Sequence, residues 1–402
     1  MDRVSAGTTT RVTEVGDVRR WAMLAVGTGA QAASAVMVHG PAFLIPTLHR
    51  DLGYSLAEAG LVAAAPTIGV MLTLVLWGLV VDRRGERFAL LTGLTATTLA
   101  GAAGALTHSV ALLAVALGFA GAASACTNAA SGRVVVGWFP PHRRGLAMGV
   151  RQMAQPVGVG IGAIGIAVVA DRFGVSAAIW LPTALVAVAA VAVALVVLDP
   201  PRPERTRETA PNPYRRDVYL VRIHVVSVLL VVPQFVVWTF ALVWLVQDRD
   251  WSPGAAGAVV ALAQVVGAFG RLGVGQVSDV VGGRMRPLRW VTWAALASML
   301  ALGATAGLDW GVAVLLMVVA TAVTVADNGL AFTAVAERAG PFWSGRALGI
   351  QNTAQFLGAS LVPPLVGLGV SASSYPAAFA AAAIFPLLAA PLVPVREERD
   401  LT

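Results

Sequence analysis

The feature that most constrains this chain is a short polar motif that occurs twice, each time between two long apolar runs. The first copy, Gly78 to Arg87, reads GLVVDRRGER, and the second, Gly275 to Arg284, reads GQVSDVVGGR. Both contain Gly-x-x-x-Asp-x-x-Gly, in which the glycine lets helix backbones cross closely. Aspartate and arginine are costly in lipid, so each motif is predicted to be a hairpin at the water interface between two membrane helices. The chain is therefore predicted to be a duplicated membrane protein.

The composition requires a bilayer. The chain is 57% hydrophobic and 12% charged, with a mean hydropathy of +0.77, which is more apolar surface than a soluble core can bury. The net charge of +7 comes from 28 basic residues, all of them arginine, and does not indicate nucleic-acid binding in such an apolar chain. The single cysteine, Cys126, lies in an apolar run and is interpreted as a packing residue. No disulfide, metal site or cofactor is therefore predicted.

Twelve apolar segments are long enough to cross about 30 Å of hydrocarbon as helices. Residues 1–18 precede them as a polar tail without a cleavable signal pattern. The segment 199–217 is rich in Pro, Arg and Glu, and is predicted to be a cytoplasmic linker. It separates an N-terminal six-helix bundle, 19–198, from a C-terminal one, 218–394, which a charged tail, 395–402, follows. The predicted spans are approximately 20–48, 56–82, 88–107, 109–139, 145–170, 174–198, 218–247, 254–280, 288–308, 310–339, 344–370 and 374–394.

The distribution of arginine predicts the orientation of the chain. Twenty-one arginines lie in the tails, the linker and the loops on one side, and only Arg50, Arg172 and Arg249 lie in the loops on the other. Basic residues favour the cytoplasmic side of a membrane. Both termini are therefore predicted to be cytoplasmic.

The duplication extends into the helices. A shift of 200 residues lays RGLAMGVRQMAQPVG, which begins at Arg144, over a segment that reads GRALGIQNTAQFLG from Gly345, so that Gly145 falls on Gly345. Helices 4 and 5 are therefore predicted to repeat as helices 10 and 11. The shift pairs Gly149 with Gly349, Gln155 with Gln355, Gly158 with Gly358, and Asn128 with Asn328.

Two six-helix halves, a linker and the repeated motif resemble the major facilitator superfamily over residues 20–394. The resemblance implies an all-α membrane fold of twelve transmembrane helices in two pseudo-symmetric bundles. Within the superfamily, the segment 143–158 and Arg271 are similar to the monocarboxylate and oxalate/formate transporter branch. Gly267 departs from that branch, which has an acidic residue there, and 113–121 lacks the helix 4 arginine common in proton-driven members.

Arg271 is the principal candidate for a substrate contact. It lies eight residues, or about 12 Å of helix, from the predicted interfacial residue Asp279. A charge at that depth is costly, and a guanidinium can bind a carboxylate with two parallel hydrogen bonds. The alternative is a structural ion pair with a neighbouring helix.

Two titratable residues are candidates for proton coupling. His39 lies late in helix 1, where the resemblance implies a basic residue linked to proton and substrate binding, so we also count it as a substrate-binding candidate. Its alternative is a hydrogen-bonded packing residue, although an imidazole can exchange a proton near neutral pH. Asp327, in helix 10, could carry a proton or pair with an arginine.

Further polar residues within the spans are candidates for substrate binding. Arg151 lies six residues into helix 5 and could pair with Asp327, contact substrate or extend to the interface, which we favour. The neutral amides could instead hydrogen-bond between helices. They are Asn128, Gln155, Asn328 and Gln355, with Gln31, Gln152, Gln264 and Asn352 as additional groups.

The hairpin residues are predicted to form gates, as the resemblance implies. Asp82 is expected to meet the start of helix 11 near Ser344, where the helix dipole favours a carboxylate. Asp279 and Arg284 are expected to act similarly against helix 5, but more weakly, because Val280 replaces the arginine of the first copy. The predicted gating residues are Gly78, Asp82, Arg83, Gly85, Arg87, Gly275, Asp279, Gly282 and Arg284.

These features predict a carrier of the bacterial cytoplasmic membrane that moves a small, carboxylate-like organic anion by alternating access, coupled to protons or by exchange. The alternative is a proton-driven drug efflux antiporter with a broad apolar cavity. A non-transporting protein on the same fold is a third possibility. The expected partners are the substrate, protons and lipid, with no nucleic acid, and the expected state is a monomer. No phosphate loop, metal-ligand spacing or catalytic triad indicates an enzyme.

Overall fold

The structure is a computed structural model that describes residues 15–50, 52–201, 211–216 and 218–398. In this part of the chain the backbone is helical apart from short turns, and no strand occurs. Most of the predicted N-terminal tail, the centre of the linker and the last four residues lie outside the described residues.

The described residues contain eleven helical segments that are long and apolar enough to cross a membrane. One of them, Pro141–Val196, has 56 residues, which at 1.5 Å per residue would measure about 84 Å. Gly174 divides this segment with φ 82° and ψ 175°, a conformation that glycine adopts without a steric penalty. The segment therefore crosses twice, which gives the twelve transmembrane helices expected from the sequence.

The helices are named α1 to α12 in chain order, and several are interrupted within the span. The first six are α1 (Asp17–His39), α2 (Leu56–Arg84), α3 (Glu86–Leu106), α4 (Val110–Ser124 and Cys126–Trp138), α5 (Arg144–Gln152 and 154–173) and α6 (175–196). The last six are α7 (Tyr219–Gln247), α8 (Pro253–Val281), α9 (Met285–Gly307), α10 (Val312–Thr324 and Asp327–Ala339), α11 (Ser344–Ala372) and α12 (Tyr375–Ala382 and Ile384–Ala389). Two short helical segments, Gly40–Leu44 and Ile45–Arg50, continue α1.

The interruptions of α4 and α10 occur at equivalent places in the two halves. Near each break, hydroxyl groups donate to helix carbonyls: Thr127 Oγ1 to Ser124 at 2.9 Å, and Thr324 Oγ1 to Ala320 at 2.7 Å. Such side-chain bonds compete with the backbone pattern and bend helices. An asparagine follows each break, so Asn128 and the residue that repeats it occupy matching positions.

An apolar core joins the two halves on the side that the arginine distribution assigns to the cytoplasm, called the inner side below. Its buried members from the N-terminal half include Leu24, Val135 and Met148. They pack with Leu330 and Leu348 of the C-terminal half. Because this core is continuous across the halves, the inner side is closed in this structure.

Two close helix crossings between the halves depend on glycine. Gly78 of α2 lies against Gly345 of α11, and Gly275 of α8 lies against Gly145 of α5. A methyl group on Gly78 or Gly275 would overlap the carbonyl of the facing glycine. Backbones approach this closely only where side chains are absent. The crossings bring the end of α2 to the start of α11, and the end of α8 to the start of α5.

Candidate functional site

The carboxylate of Asp82, which is 2% exposed at the end of α2, binds the start of α11 in the other half. It accepts hydrogen bonds from the N–H of Gly345 at 2.8 Å, the N–H of Arg346 at 3.0 Å and Nε of Arg346 at 2.8 Å. The first N–H groups of a helix lack partners within it and carry a partial positive charge. The structure thus brings Asp82 to the neighbour that the sequence analysis expects.

Arg133 of α4 supports the same carboxylate from within the N-terminal half. Its Nη1 lies 3.3 Å from Asp82, and its Nε lies 2.7 Å from Glu86. All three side chains are buried, so each charge has a partner of opposite sign away from water.

The second contact repeats the first with the halves exchanged. Asp279, at the end of α8, accepts hydrogen bonds from the N–H groups of Gly145 at 2.9 Å and Leu146 at 2.8 Å, at the start of α5. Nη1 of Arg284 donates to Asp279 at 2.6 Å. Arg284 also lies 3.3 Å from Glu337, so this contact is an ion-pair network as well as a helix cap.

Arg83 takes no part in the first contact. Its side chain is exposed, and within the described residues it makes no hydrogen bond or ion pair. Arg133 supplies the charge that we expected from this hairpin. The presence of Val280 in the second copy therefore removes no contact, and the reason for expecting a weaker second gate does not hold.

Arg87, Gly85 and Gly282 act within their own halves. The Arg87 guanidinium donates to the carbonyl of Ala194 at 2.7 Å, and its N–H donates to Asp199 at 2.8 Å. Gly85, with φ 105°, and Gly282, with φ 71°, turn the chain between helices with backbone conformations that favour glycine. These residues shape the hairpins.

The segment after α12 repeats the role of Asp199. The carboxylate of Glu398 accepts hydrogen bonds from the N–H groups of Arg284 and Met285 at the start of α9. Burial raises the pKa of the Glu398 carboxyl, although these two N–H groups oppose the shift. The C-terminal segment is thereby fastened to the second hairpin.

A central cavity of about 90 Å³ lies between the two halves and has room for several water molecules or a small solute. Residues of both halves line it, and its polar lining consists of two arginines and eight amides. All of the predicted substrate-binding residues except His39 belong to this lining. The polar lining residues are Arg151, Arg271, Gln31, Asn128, Gln152, Gln155, Gln234, Asn328, Asn352 and Gln355.

The guanidinium of Arg151 lies inside the protein and does not extend to the interface, since the residue is only 1% exposed. Nε donates to Ser131 at 2.8 Å, and Nη2 donates to the carbonyl of Asn128 at 2.9 Å. Its carbon Cζ lies 5.3 Å from the ring centre of Phe332 in the other half, a cation–π contact. No carboxylate lies within 4 Å of it among the described residues, so the suggested ion pair with Asp327 is not formed.

Arg271 of α8 lies at the break in α10. The residue is 5% exposed, and its Nε donates to the carbonyl of Val325 at 3.4 Å. Asp327 is close enough to interact with it electrostatically, but the two form no ion pair within 4 Å in the described structure. A guanidinium has five N–H donors, so most of those of Arg271 are available to a bound molecule.

In the C-terminal half, three amide side chains form a hydrogen-bonded chain across the helices. Nδ2 of Asn328 donates to Gln234 at 3.0 Å, and Nε2 of Gln355 donates to Asn328 at 3.0 Å. They join α7, α10 and α11 at the cavity wall. Such bonds fix the orientation of the amides that face a solute.

The N-terminal half repeats only part of this chain. Nε2 of Gln31 lies 3.4 Å from Oδ1 of Asn128, but Gln155 contacts His39, with 2.8 Å between their Nε2 atoms. His39 lines a smaller cavity of about 10 Å³, which shares Gln31, Asn128 and Gln155 with the central one. His39 is therefore one side chain removed from the central cavity.

Asp327 lies behind the cavity wall, at the start of the second segment of α10. It is buried, and its Oδ1 has no hydrogen-bonding partner among the described residues. Its neighbour Asn328 lines the cavity, whereas Asp327 does not.

Several residues of the inner contacts were not expected from the sequence. They are Arg133, Arg346 and Glu337, to which the sequence analysis assigns no partner. The position of Arg346 in the sequence indicates an acidic partner, because an arginine in the first turn of a helix is repelled by the helix dipole unless an acid binds it. Glu337 bridges Arg144 and Arg284, each at 3.3 Å, which no spacing in the sequence indicates.

Comparison with known proteins identifies the family. The model of the Major Facilitator Superfamily matches residues 24–363. A protein of Mycobacterium tuberculosis described as an uncharacterized MFS-type transporter is 46% identical over 380 residues, which cover 94% of this chain and 85% of that protein.

Solved structures share the fold at low identity. The Escherichia coli fucose:proton symporter FucP has a TM-score of 0.76 at 14% identity, covering 94% of this chain and 98% of its own. The proton:xylose symporter XylE has a TM-score of 0.75 at 16% identity, covering 94% and 95%. The human organic anion transporter TETRAN has a TM-score of 0.72 at 16% identity, covering 93% and 99%. The chain belongs to the Major Facilitator Superfamily and is a multi-pass membrane transporter, not an enzyme.

Proposed function

We propose that the protein is a secondary active transporter of a small organic anion, carboxylate-like, in the bacterial cytoplasmic membrane. The observation that carries this proposal is the pair of buried arginines, Arg151 and Arg271, that line one cavity without a carboxylate within 4 Å in the described structure. Buried positive charge is costly unless an anion offsets it. A transported carboxylate would supply that anion and would accept bidentate hydrogen bonds.

The two halves would work by alternating access around this site. With the inner side closed, Asp82 and Asp279 each hold a helix start of the opposite half. We propose that these two contacts are the inner gates, which break together when the halves rock. Both supply the closed state with charge-assisted hydrogen bonds that an inward-open state would lack.

Two groups are suited to proton coupling. His39 contacts Gln155, which lines the cavity, so a proton on the imidazole would be felt one hydrogen bond away from a bound anion. Asp327 lies near Arg271, and its protonation would strengthen the positive field at the cavity. Exchange of one anion for another would need neither group to change its charge.

The resemblance of segment 143–158 and of Arg271 to the monocarboxylate and oxalate/formate transporter branch supports the choice of a carboxylate. The fold alone does not select a substrate, since the structural neighbours include sugar symporters and an organic anion transporter. We propose a monomer, because one chain encloses the whole cavity.

Drug efflux by proton antiport is the second candidate. The aromatic residues Phe235, Trp238, Phe332 and Phe356, which line the cavity, favour it. A lipophilic cation would bind against aromatic rings, but it would have to approach two positively charged guanidinium groups that form no ion pair in the described structure. The charge of the cavity therefore favours the anion.

Transport by purified protein in liposomes distinguishes the candidates. We would measure uptake of radiolabelled carboxylates and lipophilic cations, with and without an inward proton gradient, for the wild type, Arg271→Gln and Arg151→Gln. The exposed Arg83→Gln is the matched control, since it removes an arginine that makes no hydrogen bond or ion pair in the described structure. Carboxylate uptake that only the two cavity variants lose supports the anion carrier. Cation transport that survives in Arg271→Gln would assign the protein to efflux.

A further inference from the structure

The two halves contribute unequally to the central cavity. The N-terminal half provides only polar residues, namely Arg151 and four amides. Every apolar residue of the lining comes from the C-terminal half: Val231, Phe235, Trp238, Phe332, Phe356 and Ala359. The C-terminal half also provides Arg271 and four amides, so a bound anion can place its charged group toward Arg151 and Arg271 and an apolar body against the aromatic rings of α7, α10 and α11.

One residue of this apolar wall carries an unused donor. The indole N–H of Trp238 is buried and has no hydrogen-bonding partner among the described residues. Elsewhere in the protein, the N–H of Trp77 donates to the carbonyl of Ala122 at 2.7 Å, and that of Trp138 donates to the carbonyl of Leu198 at 3.1 Å. A buried indole N–H usually has such a hydrogen-bonding partner, so a buried indole N–H without one needs an explanation.

Trp244 provides a contrast. Its indole N–H is also without a partner in the described structure, but the residue is fully buried in the outer core of the C-terminal half and does not line the cavity. The guanidinium of Arg249 lies 5.1 Å from its ring centre. Among the tryptophans that the structure describes, Trp238 alone combines an unused indole donor with a position in the cavity wall.

We infer that Trp238 is a specificity-determining residue whose indole N–H binds an acceptor oxygen on the apolar body of the transported anion. This inference rests on the proposed function and narrows it. The favoured substrates are carboxylates with a keto, ether or similar oxygen set apart from the carboxylate. An anion with a purely hydrocarbon body leaves the N–H unpaired in the cavity and binds less tightly.

The test uses matched pairs of acids that differ in one acceptor. Binding of radiolabelled pentanoate and 4-oxopentanoate, and of 4-methylbenzoate and 4-methoxybenzoate, is measured on the full-length protein in nanodiscs. A neutral hydrogen bond corresponds to about a 2- to 12-fold preference for the oxygenated member. Trp238→Phe keeps the aromatic contact but removes the N–H, so the preference is expected to fall to about one. Trp180→Phe makes the same change on the exposed face of α6 and should leave the preference as in the wild type.

Each outcome decides between the two proposals. If the acids bind in an Arg271-dependent way but the wild type shows no preference, or if Trp238→Phe keeps it, the inference about Trp238 is wrong and the anion carrier stands. If no carboxylate binds to the wild type, both proposals fail. Trp238→Phe could also lose binding of both acids of a pair while size-exclusion chromatography shows that the protein is folded. That result would overturn the inference that Trp238 acts only through a hydrogen bond to the acceptor oxygen.

Discussion

Replacement of Asp82 by asparagine should release the inner side of the transporter. Asn keeps the size of the side chain and one acceptor oxygen, so it can still accept one of the N–H groups at the start of α11. It loses the charge. An NH2 group in place of the carboxylate oxygen near Arg346 is a donor that meets other donors there, so it cannot form a hydrogen bond with them. The variant therefore perturbs the contact between the halves without creating a cavity.

The magnitude follows from the contacts that cross between the halves. Of the partners of Asp82, Arg133 lies in the same half and stays with it in both states, so it does not bias the equilibrium. Oδ1 accepts the hydrogen bond from Gly345 and Oδ2 accepts the two from Arg346, so the single oxygen of Asn keeps one or two of the three. Hydrogen bonds to charged groups contribute about 1.5–3 kcal/mol each. One or two losses at the lower figure amount to about 1.5–3 kcal/mol, or roughly a ten- to hundredfold shift toward the inward-open state.

Cysteine labelling reports this shift directly. Cys126 is the single native cysteine, so Cys126→Ser provides a cysteine-free background. Leu348→Cys then places a reporter on α11 at a site that is 0% exposed and faces Gly132 of the other half. In inside-out vesicles, Asp82→Asn should raise the labelling rate of this reporter by up to roughly a hundredfold. The exposed Arg83→Gln should leave the rate at the background value.

Two results would refute the reasoning. An unchanged labelling rate in Asp82→Asn, with normal elution of the purified protein, would mean that the aspartate does not hold the halves together. An equal increase in Arg83→Gln would show a response to charge in the hairpin rather than to the contact with α11.

Three further predictions concern the inner side. Gly275→Ala should weaken the crossing with α5, because its methyl group overlaps the carbonyl of Gly145, whereas Gly273→Ala has open space; labelling of the inner reporter should rise only in the first. The stability contribution of Glu398 should be largest below its ordinary pKa near 4.5 and decline as pH rises through the raised pKa, because the folded protein binds that proton more tightly. Melting temperatures of the wild type and Glu398→Gln between pH 4 and 8 test this, and a flat wild-type profile would contradict it. Tyr214→Phe removes a hydrogen bond to a buried imidazole of α7, so unfolding by urea should show a loss of about 1 kcal/mol.

The positions of the twelve helices were predictable because membrane thickness fixes their length and the apolar runs mark them. The interruptions in α4 and α10 were not. They lie beside hydroxyl groups, such as those of Thr127 and Thr324, that hydrogen-bond to helix carbonyls, and hydropathy does not register such bonds. These breaks nevertheless set the positions of the asparagines that line the cavity.

The partner of Asp82 was predictable from a local rule, since a carboxylate at the end of one helix and the bare N–H groups of another attract each other. The burial of Arg151 was not. Its short distance along α5 from the inner end suggested that it reaches water, but the inner core closes over that end, and Phe332 of the opposite half covers its guanidinium. Burial of this kind depends on how the two halves pack against each other. The spacing of residues within one helix does not predict that packing.

The two inner contacts are one interaction seen twice, related by the internal pseudo-twofold axis. If a single six-helix unit paired with an identical copy, one aspartate and one helix start would make both contacts at once. Joining the copies in one chain freed the residues between the contacts to differ. In the 200-residue register Arg151 corresponds to Gln351, and in the register of the two aspartates Arg271 corresponds to Leu74. The inner contacts have kept the symmetry of an identical pair, whereas every apolar residue of the cavity lining comes from the C-terminal half, so the two ends of a bound solute meet different surroundings.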